Sequence, residues 1–152
     1  MHLGDFIAPE AVIPSLKAKS KKQLLQELSS RDARLTGLEE RYIFDVLLQR
    51  ERLGSTGLGQ GIAIPHGRIR GLAEAQGAFV RLKSPIPFDA PDGKPVAQVF
   101  VLLVPEHATE QHLQLLSELA QMFSEARFRD SLGTAGDAAG LREVFDRWEP
   151  AA

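Results

Sequence analysis

Cysteine is absent from the chain, which excludes disulfide frameworks, thiolate nucleophiles and Cys-type zinc sites together and fits a reducing compartment. A charge excess is lacking too. The 18 Lys and Arg stand against 20 Asp and Glu, for a formal net charge of −2, so the overall field makes no case for nucleic acid or a membrane surface. No apolar run approaches the roughly 20 residues of a membrane span. The N-terminal MHLGDFIAPEAVIPSL has no basic segment leading into a long apolar one, and the expectation is a soluble, cytoplasmic protein. Internal repeats, G-x-x-x-x-G-K-[ST] and G-x-S-x-G are also missing, which removes a phosphate-binding P-loop and a nucleophile elbow.

What is present suits one domain over residues 1–152: with 43% hydrophobic residues, a chain this long buries a core without metal or disulfide. Ser20–Gln23 and Thr36–Glu39 read as capping boxes, each opening a helical pattern. One helix carries Leu24, Leu25 and Leu28. The other carries Ile43, Phe44, Leu47 and Leu48, stops near Gly54 and forms a hairpin with the first. After Gly61 the period changes to short segments rich in Val, Ile, Leu and Phe: IAIP, GAFVRLK and VAQVFVLLVP. The last shows no alternation, as a strand covered on both faces does. Between the second and third, SPIPFDAPDGKP reads as a loop with at most a short edge pairing. Helical spacing returns with Leu113, Leu116, Leu119, Ala120 and Phe123 behind a Thr109 cap, then near 125–132 and 138–147, the last burying Leu141, Val144, Phe145 and Trp148. The fold class expected is an α/β sandwich, a central mixed sheet flanked by helices on both faces.

The stretch GSTGLGQGIAIPHGRIR sets His66 between Pro65 and Gly67, after the run Ile62–Ile64. In open α/β sheets the carboxyl ends of strands are where reacting groups collect. Gly54, Gly57, Gly59, Gly61 and Gly67 let the backbone approach another molecule closely. A rigid imidazole held by Pro65 suits a nucleophile; an ordinary loop histidine is the competing account. A zinc site with His107 and His112 lacks the i, i+4 spacing of a helical motif, and no acid is placed to complete a triad with Ser55. No metal or cofactor is expected.

RERLGSTGLGQGIAIPHGRI, followed by FVRLKSPIPFDAPDGKPVAQVFVLLVPEHATEQHLQLLSELA, resembles the IIA component of the phosphoenolpyruvate-dependent phosphotransferase system, mannitol/fructose class, and most closely its nitrogen-regulatory branch. The resemblance covers residues 6 to about 147. It implies that His66 accepts a phosphoryl group on Nε2 from a phosphohistidine on a small HPr-like carrier. It carries over Arg50, sixteen residues earlier, and His112, forty-six later, as groups stabilising the phosphoryl. His112 would lie in the first turn of its helix, where the macrodipole disfavours imidazolium and attracts phosphate.

Gln60 departs from the family, whose sugar-transporting members have Glu there and whose nitrogen branch often has Asn; an amide keeps hydrogen bonding without a negative charge beside phosphate. Ser55 and Thr56 match the motif as hydroxyl donors or as loop caps. Ile69, Leu72, Pro85, Ile86 and Phe88 are candidates for a docking surface beside Gly67, with Arg68 and Arg70 at its rim; core packing competes for Phe88. The resemblance further implies a cytoplasmic regulator acting on other proteins, such as potassium-handling systems or sensor kinases. The alternatives are a sugar-transport IIA passing phosphate to a IIB domain and a binding-only IIA-like domain.

Overall fold

A computed structural model describes residues 7–148; the expected domain limits at 1 and 152, and Phe6 at the start of the resemblance, lie outside the described residues. The chain runs β1 (Ile7–Leu16), α1 (Lys21–Thr36), α2 (Glu40–Leu53), β2 (Gly57–Gly59), β3 (Ile62–Ala63), β4 (His66–Ile69), β5 (Gln76–Ile86), β6 (Val96–Pro105), α3 (Thr109–Ser124), α4 (Ala126–Thr134) and α5 (Ala138–Arg147). The sheet order is β1-β5-β6-β3-β2, with β4 also on β6 beyond β3. Strand β6 lies antiparallel to β5 and parallel to β3 and β4, while β1 is parallel to β5. The mixed sheet matches the expectation. Val99–Val104 of β6 are all buried, as a central strand between two helical layers must be.

Local chemistry explains most boundaries. Ser20 Oγ accepts from Gln23 N at 3.1 Å and opens α1, and the Gln23 side chain accepts from Lys19 N at 2.7 Å. Gly37 ends α1 with φ 74° and donates to the Ala33 carbonyl, a left-handed cap that costs glycine nothing. Thr36 does not cap α2: its hydroxyl donates to the Asp32 carbonyl and accepts from Leu38 N, so it closes the first helix. The α2 N-cap is Glu39, with no side-chain hydrogen bond. Likewise Thr109 is the first residue of α3 and Ala108 its N-cap. Asp137 caps α5 by accepting from Gly140 N at 2.8 Å.

Paired residues point to one side of a sheet, so the register assigns the two layers. Phe79 and Phe100 are partners and meet Phe123 and Phe145 of α3 and α5. On the opposite face Gly67 of β4 meets α2 so closely that a Cβ there would lie 2.5 Å from Val46 Cγ1. Only glycine permits that approach.

Three expectations are corrected. Strand β1 was not foreseen: its sequence IAPEAVIPSL contains two prolines, and it lies at the sheet edge with β5 as its sheet partner, where a missing N–H is tolerated. The loop expected from Ser84 is strand as far as Ile86, whose pairing with Val96 is the short edge pairing allowed for there; Pro85 falls beyond the last β1 partner, Leu82, and inside the β5–β6 register shift between Arg81 and Ile86. In α3, Leu115 and Met122 are buried and Leu113 is 64% exposed, because Leu113 faces a cleft rather than the core.

Candidate functional site

Parallel pairing of β3 and β4 along β6 is interrupted at Ile64-Pro65, where proline has no N–H to donate. His66 therefore opens β4, opposite Leu102, instead of ending the strand before it. Its Nδ1 donates to the Ile64 carbonyl at 2.8 Å, which leaves Nε2 unprotonated. Arg50 Nε, from the last turn of α2, donates to that Nε2 at 3.2 Å. A second arm of the guanidinium, Nη1, donates to the Gly54 carbonyl at 2.9 Å and holds Arg50 in place.

His112 of α3 stands over His66 edge-on, ring centroids 5.2 Å apart and planes at 66°. It is buried, and its Nε2 has no hydrogen-bond partner among the described residues. Burial first, then His66, Arg68 and Arg50, push its pKa down to about 4. His66 is also held below the usual histidine range, by burial and by Arg50, against the opposing pulls of the Ile64 carbonyl and Glu51. Both rings are neutral at pH 7.

These groups line a cleft of about 760 Å³ formed by Val46, Gln49, Arg50, Arg52 and Leu53 of α2, His66, Gly67 and Arg68 of β4, and His112, Leu113 and Leu116 of α3. Three guanidiniums and no carboxylate line it, so it favours an anion. Arg68 reaches Thr109 Oγ1 at 3.5 Å, bridging β4 to the first turn of α3. Leu53, 85% exposed, and Leu113 stand as bare apolar side chains on its two walls.

The other candidates lie elsewhere. Ser55 Oγ donates to the Phe88 carbonyl at 2.7 Å and accepts from Gly57 N, tying down a loop. Thr56 is buried, its N–H and hydroxyl both directed at the Glu51 carboxylate. Gln60 occupies the turn between β2 and β3 with φ 57°, its N–H on Asp92, outside the cleft lining. Phe88, Ile69 and Ile86 are core residues, Phe88 only 1% exposed, so they offer no docking surface. Arg70 is tied to the Tyr42 hydroxyl through its backbone N and Nε. Sequence reasoning missed Glu51, Lys21 and the exposed leucines. The signal for Glu51 was its place on the stripe Ile43, Leu47, Glu51, a carboxylate at an otherwise apolar spacing. Among the described residues no group of three or more His, Asp or Glu could hold a metal, and no helix is long and apolar enough to cross a membrane.

Comparison with known proteins finds a family model described as "Phosphoenolpyruvate-dependent sugar phosphotransferase system, EIIA 2" matching residues 5–148. A nitrogen regulatory protein of Bradyrhizobium diazoefficiens is 46% identical over 145 residues, 95% of each chain. One from Pseudomonas aeruginosa is 42% identical, over 95% of this chain and 94% of its own. The crystal structure of nitrogen regulatory protein IIA-Ntr from Neisseria meningitidis superimposes with a TM-score of 0.90 at 45% identity, covering 94% of this chain and 98% of that one. Mannitol IIA of Escherichia coli, at 19% identity and TM-score 0.75 over 91% and 97% of the two chains, shares the fold.

Proposed function

The chain belongs to the EIIA 2 family of the phosphoenolpyruvate-dependent sugar phosphotransferase system, as a nitrogen-regulatory IIA protein, and from that premise we propose that His66 Nε2 is its phosphoryl acceptor. The observation that carries the reading is an unprotonated Nε2 at the base of a cationic cleft, with Nδ1 held by the Ile64 carbonyl. Nε2 attacks phosphorus in line as the N–P bond of a phosphohistidine on an HPr-like carrier breaks. The carrier's imidazole leaves neutral, its other nitrogen keeping a proton, and His66 keeps its own on Nδ1.

Arg50 already donates to the attacking lone pair. As the bond forms its N–H groups turn to the phosphoryl oxygens, and the anchor on Gly54 keeps the guanidinium beside them; a fixed cation of this kind is worth most in a water-poor site. His112, kept neutral by burial and by the cations around it, supplies a further N–H. Leu53 and Leu113 give the carrier an apolar contact on each wall, with Arg52 and Arg68 beside them. Phosphorylation then places about two negative charges in the cleft, and partners that read this face distinguish the two forms.

The test is transfer itself: phosphoenolpyruvate, the first enzyme and the carrier are incubated with the protein, and acid-labile phosphate is mapped under alkaline conditions. Phosphate on His66 is expected. None, with a carrier active on a control IIA, sinks the reading in favour of a binding-only domain; onward transfer to a IIB domain favours the sugar-transport role.

A further inference from the structure

Phosphoryl acceptance as described gives no part to Glu51, although its side chain is only 2% exposed, a costly place for a carboxylate unless it is fully partnered. Its partners come from two directions. Lys21 Nζ of α1 pairs with it at 3.1 Å, and Thr56 N lies 3.3 Å from each oxygen while the Thr56 hydroxyl donates to Oε1. Thr56 in turn offers its carbonyl to Ile64 N at 3.0 Å, and the carbonyl of the same Ile64 accepts from His66 Nδ1. The last turn of α2 supplies a second line: Gly54 N donates to the Glu51 carbonyl, and the Gly54 carbonyl accepts from Arg50.

We propose that Glu51 is a positioning residue for the phosphoryl site: through Thr56 it fixes the Ile64 backbone, so that His66 is held with Nδ1 protonated and Nε2 free. The proposal rests on the reading of His66 as acceptor. It explains why a buried acid stands next to the arginine of an anion-favouring cleft without lining it. The carboxylate is spent on Lys21 and Thr56, so its bonded route to the histidine runs through backbone, beside the through-space pull of its charge on the ring.

The tautomer of His66 is read by imidazole ¹⁵N NMR on the unphosphorylated protein, alongside single-turnover transfer from the phosphorylated carrier. Thr56→Val removes the hydroxyl donor at nearly constant shape and leaves the Lys21–Glu51 pair. Glu51→Gln keeps an acceptor for Thr56 but loses the charge. Each variant is expected to raise the share of the Nε2-protonated tautomer and to slow transfer about tenfold, the usual scale for a supporting hydrogen-bond partner. Thr56→Ser, which restores the hydroxyl, returns both to wild type. A folded Thr56→Val with the wild-type tautomer ratio overturns the proposal, and it decides alone if Glu51→Gln does not fold. A wild-type protein that accepts no phosphate defeats the transfer reading instead, and the tautomer ratio still settles the role of Glu51.

Discussion

On one side of the sheet Phe79, Phe100, Phe123, Phe128 and Phe145 interlock, neighbouring ring centroids 5.2–6.5 Å apart. On the other, the α1–α2 hairpin and the loop after it hold Ser29, Asp32, Glu51 and Thr56 among the buried polar groups of the described residues; His112, on α3, completes that set. The aromatic side is held by burial, which is non-directional and roughly proportional to area. The hairpin side depends on directional bonds between desolvated groups, where one missing partner leaves a charge or N–H exposed to a low dielectric. The contrast teaches that the aromatic packing and most of the buried polar network lie in different layers of one small fold, while the site at β4 draws on both, Arg50 from α2 and His112 from α3.

The sharpest way to break that division is His66→Ala. Phosphate incorporation is expected to vanish while the unfolding free energy moves by about 1 kcal/mol or less; a large loss on denaturant titration would show the site to be structural after all. Phe145→Ala is the converse, destabilising by about 3–5 kcal/mol with transfer per folded molecule unchanged in a rate assay below the new Tm. Arg50→Ala should slow single-turnover transfer by about 10²-fold with a wild-type circular dichroism spectrum, and a wild-type rate would remove Arg50 from the site.

The smallest effect is expected from Asp32, whose Oδ2 is buried without a partner among the described residues and whose pKa burial raises to about 7. Between about pH 4 and pH 7 the folded state holds a proton that the unfolded state has released, so this group's contribution falls as pH rises. Asp32→Asn should accordingly stabilise by about 1–3 kcal/mol at pH 8 and by almost nothing at pH 3.5. The histidines work in the opposite sense. With both pKa values lowered in the fold, their contribution is present above about pH 6.5 and declines as pH falls, that of His112 being lost toward its folded value of about 4. Thermal melts of wild type and Asp32→Asn across this range separate the two signs.

Much of this was legible before any coordinates. Helix α5 is bounded at Ala138 and Arg147, as the spacing of Leu141 and Phe145 predicts, and β6 is central, as its unbroken apolar run predicts. Leucine stripes are less informative at a cleft, where Leu113 points outward because no partner element covers it. Hydroxyl caps misled at Thr36 and Thr109, since one hydroxyl can close the helix behind it or follow a cap as readily as open the next. Phe88 was open between docking and core; its burial beneath Lys21, 4.5 Å from the ring centroid, is a contact between residues 67 positions apart that no local pattern encodes.

The chain by itself determined the helices, the strand-rich middle and the identity of the groups around His66, because periodicity, capping and a long shared motif are local properties of the text. Tertiary structure alone decided how Nδ1 of His66 is held by the Ile64 carbonyl so that Nε2 is free, that Arg50 faces it while Thr56 does not, and that Glu51 stands behind the site. Those facts depend on the register of β3 and β4 along β6 and on the closeness of α2 to Gly67, and a hydrogen bond's direction exists only once both partners are fixed in space.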